Sequence, residues 1–219
     1  MAELQHETLR DATEEGQRDL WARRAYRLVV ITLAYNVAEA AVAVSLGWID
    51  RSVVLVGFGL DSIIEAIAAV AVLQRVRAML SARPTEEAEA LELRTRRVVG
   101  VTFLALAAYI LIQSAYVLAT RKAPEESWLG ILLALFSLVV MPIVAAAKMR
   151  CANYLGSRAL YAEAKETLAC SYLSLTLFLG LAGNAILGWW WTDPVAALLM
   201  TPWLVREGLE GIRGECSCH

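Results

Sequence analysis

Between Ser52 and Leu73 the chain is apolar enough to cross a bilayer, yet Asp61 and Glu65 stand in its interior. A membrane-spanning α-helix needs about 20 mostly apolar residues, and this run supplies them. At a rise of about 1.5 Å per residue, Asp61 lies roughly 14 Å beyond Ser52, near mid-membrane. Glu65 follows one turn later, so both carboxylates share a helix face. An ionisable group at that depth costs about 2.5–3.5 kcal/mol on insertion scales, so it faces the interior of a helix bundle and has a partner there. Two carboxylates one turn apart repel each other when both are ionised. A divalent cation between them removes the repulsion, and so do two protons.

The whole chain agrees with a membrane environment. Of 219 residues, 58% are hydrophobic, against about 45–50% apolar in an average soluble domain. A net charge of −2 argues against a nucleic-acid partner, and no enzymatic activity is expected. Residues 1–27 are strongly charged and hold no apolar h-region, so a cleavable signal is not expected. Histidine occurs only as His6 and His219, so an intramembrane metal site must do without imidazole.

The pattern predicts an all-α, polytopic bundle of six spans, at about 28–46, 52–73, 98–118, 128–147, 157–187 and 193–212. Residues 1–27 form a polar arm. It reads either as an amphipathic helix resting Leu20, Trp21 and Tyr26 on the membrane surface or as a solvated, frayed segment. Pro84 breaks the chain, Thr85 can cap a helix and Glu86-Glu87 suit its first turn, so the third helix is expected to begin in water near Thr85. Residues 148–161 read as a mixed polar connection. The stretch before Thr167 contains good helix formers and no breaker, which extends the fifth helix back to about Ser157. Trp189-Trp190-Trp191 is an aromatic belt, and Asp193-Pro194 opens the sixth helix with Pro in its first turn. Residues 213–219 form a short tail.

Six spans put both ends on one side, and Lys and Arg indicate which. Five of these basic residues lie in the arm, six in the 74–97 connection, three in the 148–158 connection and two near the C-terminus. The opposite loops hold only Arg51, Arg121 and Lys122. This asymmetry places both termini in the cytoplasm.

The fifth helix offers a match to Asp61 and Glu65. Glu166 and Cys170 are again ligand types four residues apart on one face. The second and fifth spans run in opposite directions, so the two pairs reach comparable depths. Three carboxylates and a thiol suffice for four-coordinate Zn²⁺, whereas a thiolate disfavours Mg²⁺ and Ca²⁺. Cd²⁺, Fe²⁺, Mn²⁺ and Co²⁺ remain open alternatives. Because the ligands bind metal deprotonated, loading expels protons, and loading from one side with reprotonation from the other is antiport. Asn36 and Glu39, deep in the first span, are candidates for proton carrying or for hydrogen bonding behind the ligands, or else join helices. Lys165 is expected to snorkel or to neutralise Glu163. Cys216, Cys218 and His219 form a candidate soft-metal site in the tail. No prosthetic group is expected.

Ser52…Asp61-Ser-Ile-Ile-Glu65, Ala162-Glu163…Glu166-x-x-x-Cys170 and Asp193-Pro194 together resemble the cation diffusion facilitator (cation efflux) family over about residues 25–212. Tyr35-Asn36-x-x-Glu39 and Gly57-Phe-Gly-Leu-Asp61 are similar to a divergent, mostly bacterial branch of it. The resemblance implies six helices with paired ligand motifs on the second and fifth. It also implies exchange of a cytoplasmic divalent metal, usually Zn²⁺, for protons, by a homodimer in the bacterial inner membrane. Glu65 stands where the family usually has Asp, and Glu166 and Cys170 where it usually has His and Asp. No counterpart of the family's C-terminal metal-sensing domain is expected here.

Two rival readings stand beside the transporter: a non-transporting scaffold or metal-sensing subunit, and a passive cation channel. In either, Asp61 and Glu65 could form a structural pair bonded to Gln113 or Asn184. The tail yields its own prediction. Deleting residues 216–219 leaves Zn²⁺ affinity of the detergent-solubilised protein unchanged in calorimetry, because a short terminal tail does not reach the bundle interior. Loss of all binding would make the tail the principal site.

Overall fold

The computed structural model describes residues 2–49, 53–81, 85–121, 128–187 and 189–213. Among them the chain forms six helices and no strand: α1 (Ala2–Ile49), α2 (Val53–Leu80), α3 (Thr85–Thr120), α4 (Trp128–Leu155), α5 (Arg158–Leu187) and α6 (Thr192–Arg213). Segments Glu15–Leu46, Glu89–Thr120 and Leu132–Leu155 are long and apolar enough to cross a membrane. The distribution of polarity fits a lipid solvent. Ile112 is 71% exposed and Leu199 74% exposed, whereas Glu39, Asp61, Glu65, Lys148, Glu163 and Glu166 are buried. Water favours the reverse arrangement, and lipid permits this one.

The arm is neither frayed nor a separate element. α1 runs for 48 residues, about 72 Å, far beyond the hydrocarbon thickness of about 30 Å. Side chains from two other helices steady the extension. Trp21 stacks on Tyr154 of α4 with ring centroids 5.1 Å apart, and Tyr154 donates to Gln17 at 3.0 Å. Arg77 of α2 donates to the Tyr26 hydroxyl at 3.1 Å. Trp21 and Tyr26 therefore lean on neighbouring helices, while Leu20 is exposed. The Lys148–Leu155 stretch, expected as a connection, instead forms the last two turns of α4. Its burial explains this: Lys148, Cys151, Ala152 and Leu155 all face inward.

Packing is closest between α1 and α2, α3 and α6, and α4 and α5, and α2 also meets α5. A core rich in small residues, including Ala25, Ala69, Ala152 and Ala169, lets the helices approach closely. α3 and α6 cross with their backbones close together. A Cβ on Gly100 would lie 2.7 Å from the Gly208 carbonyl oxygen, and one on Gly211 would lie 2.8 Å from the Gly100 Cα. Phe103 and Trp203 meet edge to face next to this crossing, with centroids 5.9 Å apart.

The corner between α4 and α5 sets where α5 begins. Gly156 takes φ +66°, the left-handed conformation that favours glycine, and Ser157 N–H bonds back to the Ala152 carbonyl at 3.1 Å. The Ser157 hydroxyl accepts from Leu160 N–H at 3.3 Å and donates to Glu92 of α3. Glu92 also accepts from Ala159 N–H at 2.6 Å and from Arg75 of α2 at 2.5 Å. A carboxylate at a helix N-terminus is favoured by the aligned peptide dipoles. One side chain of α3 thus joins the ends of α2 and α5.

The glycine crossing makes a stability prediction. Gly100→Ala or Gly211→Ala forces backbone apart and destabilises the protein by about 1–3 kcal/mol. Gly16→Ala, with nothing within 4 Å of its added methyl, is neutral or stabilising by up to about 1 kcal/mol. Thermal unfolding in detergent checks both directions.

Candidate metal centre

α2 and α5 run antiparallel, so a step of four residues forward on one matches a step of four back on the other. The paired side chains follow this register. Asp61 lies beside Cys170, and Glu65 lies within electrostatic reach of Asp61, Glu166 and Cys170. All four are buried: Asp61 and Glu65 are 3% exposed, Glu166 1% and Cys170 0%. Neither Asp61 oxygen meets full hydrogen-bond geometry with the Cys170 thiol, and none of the six carboxylate oxygens of Asp61, Glu65 and Glu166 has a hydrogen-bond partner. Thr102 of α3 adjoins Glu166, but its hydroxyl donates to the Val99 carbonyl at 2.7 Å.

Buried polar atoms are ordinarily partnered, and an orphaned one costs about 1–3 kcal/mol, more when charged. Six orphaned acceptors in one place are what a cation would satisfy. The four side chains do not form a closed shell: among the described residues, no three of His, Cys, Asp and Glu come close enough together to hold one ion. Gln113, a sequence candidate for bonding the acids, leaves its buried Nε2 without a partner. The side chain of Asn184 and residues Cys216, Cys218 and His219 lie outside the described residues.

Glu39 is different in kind. Its Oε1 accepts from Tyr35 at 2.7 Å and from Ser137 of α4 at 2.6 Å, and its Oε2 accepts from Ser62 of α2 at 2.8 Å. Ser62 is the residue next to Asp61. Glu39 therefore ties α1, α2 and α4 together immediately behind the acid pair, with its acceptors occupied. Asn36, one turn earlier and 1% exposed, leaves Oδ1 without a partner.

The sequence did not reveal a second feature nearby. Lys148 of α4, fully buried, donates to Glu163 at 2.5 Å and to Thr167 at 3.1 Å. Lys165, expected to neutralise Glu163, instead reaches α6 and pairs with Glu207 at 2.7 Å, with its ammonium 5.4 Å from the Tyr161 ring centre. The two lysines lie on different sides of α5: position 165 points toward α6, and position 163 toward α4. A lysine just past an apolar run signals only a helix end, so nothing local marks Lys148 as buried.

The profile described as the cation efflux transmembrane domain matches residues 29–213. No curated protein matches the chain significantly. The matched stretch takes in every described helix from the apolar portion of α1 to the end of α6, with the facing α2 and α5 pairs inside it. The chain belongs to the cation efflux family, and is a membrane transporter of metal cations.

Proposed function

We propose that the protein exports a divalent transition metal, Zn²⁺ first, from the cytoplasm in exchange for protons, through Asp61, Glu65, Glu166 and Cys170. The observation that carries this reading is the set of six unpartnered carboxylate oxygens facing a buried thiol between α2 and α5. Harder cations take all-oxygen shells, and sulfur in the set favours softer ions. Ligands must lose protons to bind metal, so loading and release are matched by proton release and uptake. A small relative movement of α2 and α5 would draw these side chains onto an ion, and exposure first to one side and then to the other completes transport. Glu39 holds Ser62, and through it the backbone of Asp61, in register, with Asn36 on the same face of α1.

All six helices span the membrane in this reading. Both termini are cytoplasmic, as the sixteen-to-three division of basic residues supports. The transporter works as a homodimer in the bacterial inner membrane, with Cys216, Cys218 and His219 as an accessory site for soft metals.

Proteoliposomes test the reading directly. With an imposed pH gradient the protein moves Zn²⁺ against its own gradient. A channel only dissipates a gradient, and a scaffold moves nothing. Asp61→Asn and Glu65→Gln, which keep volume but remove an anionic ligand, abolish uptake with the fold retained. Normal uptake by both variants defeats the site assignment. Cys170→Ser weakens Zn²⁺ and Cd²⁺ binding by about tenfold or more while leaving Mn²⁺ within about threefold. Calorimetry in buffers of different ionisation enthalpy ranks the metals and counts the protons released. Equal losses for all three metals remove Cys170 from the ligand set.

A further inference from the structure

Burial of the Lys148–Glu163 pair is by itself weak evidence of a stabilising role. A buried ion pair loses two hydration shells, and its replacement by apolar residues is often neutral or stabilising. Among the described residues Lys148 is the only buried Lys or Arg, against five buried acids: Glu39, Asp61, Glu65, Glu163 and Glu166. Its ammonium has three donors; two are placed, on Glu163 and Thr167. Glu65 and Glu166 both lie within its electrostatic reach.

Glu163 is only half used. It is 3% exposed, Oε1 takes the ammonium, and Oε2 is buried without a partner. Glu166, three residues on and therefore on the same face of α5, has both oxygens unpartnered. The two carboxylates interact electrostatically. Glu163 sits about 4.5 Å nearer the start of α5 than Glu166, on the side of Arg158 and the α4–α5 corner.

We propose that Glu163 and Glu166 form a transit site for the divalent cation, one turn nearer the cytoplasm than the Asp61–Cys170 site, and that Lys148 is a tethered cation that holds this site until metal displaces it. The proposal rests on the transport reading of the deeper site. A monovalent ammonium on a fixed stem satisfies one oxygen of the pair, and a divalent ion satisfies more of them. Displacement therefore favours a dication over a monovalent competitor. Once displaced, Lys148 keeps Thr167 as a partner and its positive charge stays beside the passing ion. That charge opposes long residence and pushes the ion onward to the deeper ligands. Lys148 thus acts as a positioning and selectivity residue, and Glu163 as a ligand in transit.

The pair gives opposite signs on substitution. Glu163→Gln releases the ammonium to neutralise Glu166, so it weakens Zn²⁺ binding by about tenfold, in line with one unit charge a few ångströms away. Lys148→Met removes the competitor and tightens Zn²⁺ binding by a similar factor. Lys148→Met with Glu163→Gln binds Zn²⁺ more tightly than Glu163→Gln alone, because the freed ammonium no longer neutralises Glu166, although one transit ligand is lost. Calorimetric Zn²⁺ titration of the full-length protein in detergent reads these changes, with thermal unfolding of each variant measured alongside. A structural pair would lower melting temperature in both single variants without this sign pattern in affinity. The comparison of Glu163→Gln with the double variant decides the outcome even where Lys148→Met alone does not fold. Wild-type affinity in Glu163→Gln, or a double variant as weak as Glu163→Gln, overturns the transit site. Where Asp61→Asn still abolishes Zn²⁺ binding in that case, the deeper site stands alone. A wild-type protein that binds no Zn²⁺ overturns both.

Discussion

Among the described residues, five carboxyl groups and one ammonium share the interior of a bundle whose outside is hydrocarbon-like. That imbalance is the constraint on which the arrangement of helices depends. A buried acid is tolerable when hydroxyls or an ammonium surround it, or when its charge is cancelled by a proton or a metal. The protein uses the first solution for Glu39, within three hydroxyls, and half of it for Glu163, against Lys148. It uses neither for Asp61, Glu65 and Glu166. Among the described acids, those with both oxygens unpartnered are Asp61 and Glu65 on α2 and Glu166 on α5, a distinction that burial alone does not make.

The supporting elements follow from that division. α1 and α4 bring hydroxyls to Glu39, α4 brings the ammonium to Glu163, and α3 anchors the ends of α2 and α5 through Glu92. α6 contributes little to the polar interior. It packs against α3 through glycines and pairs Glu207 with Lys165 on the outer side of α5. Close glycine packing at α3–α6 thus contrasts with the polar bonding around α2 and α5.

Much of this was legible in the sequence, because the signals were local. Asp61 with Glu65 and Glu166 with Cys170 are four-residue spacings on helices, and spacing alone puts each pair on one face. The start of α3 at Thr85 and the backward extension of α5 follow from breakers and helix formers near them. What escaped notice was non-local. Which lysine meets Glu163 depends on the rotation of α4 about its axis, fixed by packing along its whole length. The Glu92 junction joins residues from three elements, and the Gly100–Gly211 contact is visible only once α3 and α6 are crossed. The arm was ambiguous for a related reason: Trp21 and Tyr26 look like interfacial anchors until Tyr154 and Arg77 are brought beside them.

The Glu92 junction has a mechanical consequence. Ala159 is fixed to α3 at the first turn of α5, so a tilt of that helix has its fulcrum there. Cys170 lies about 16 Å along the axis from the fulcrum, Glu166 about 10 Å and Glu163 about 6 Å. For a tilt of about 10° these lever arms translate to displacements of about 3 Å, 2 Å and 1 Å. The thiol sweeps the farthest and the Lys148 partner the least. Directed along the line between Asp61 and Cys170, such a tilt changes their separation by up to about 3 Å, comparable to the length of a metal–ligand bond, which is about 2.0–2.3 Å.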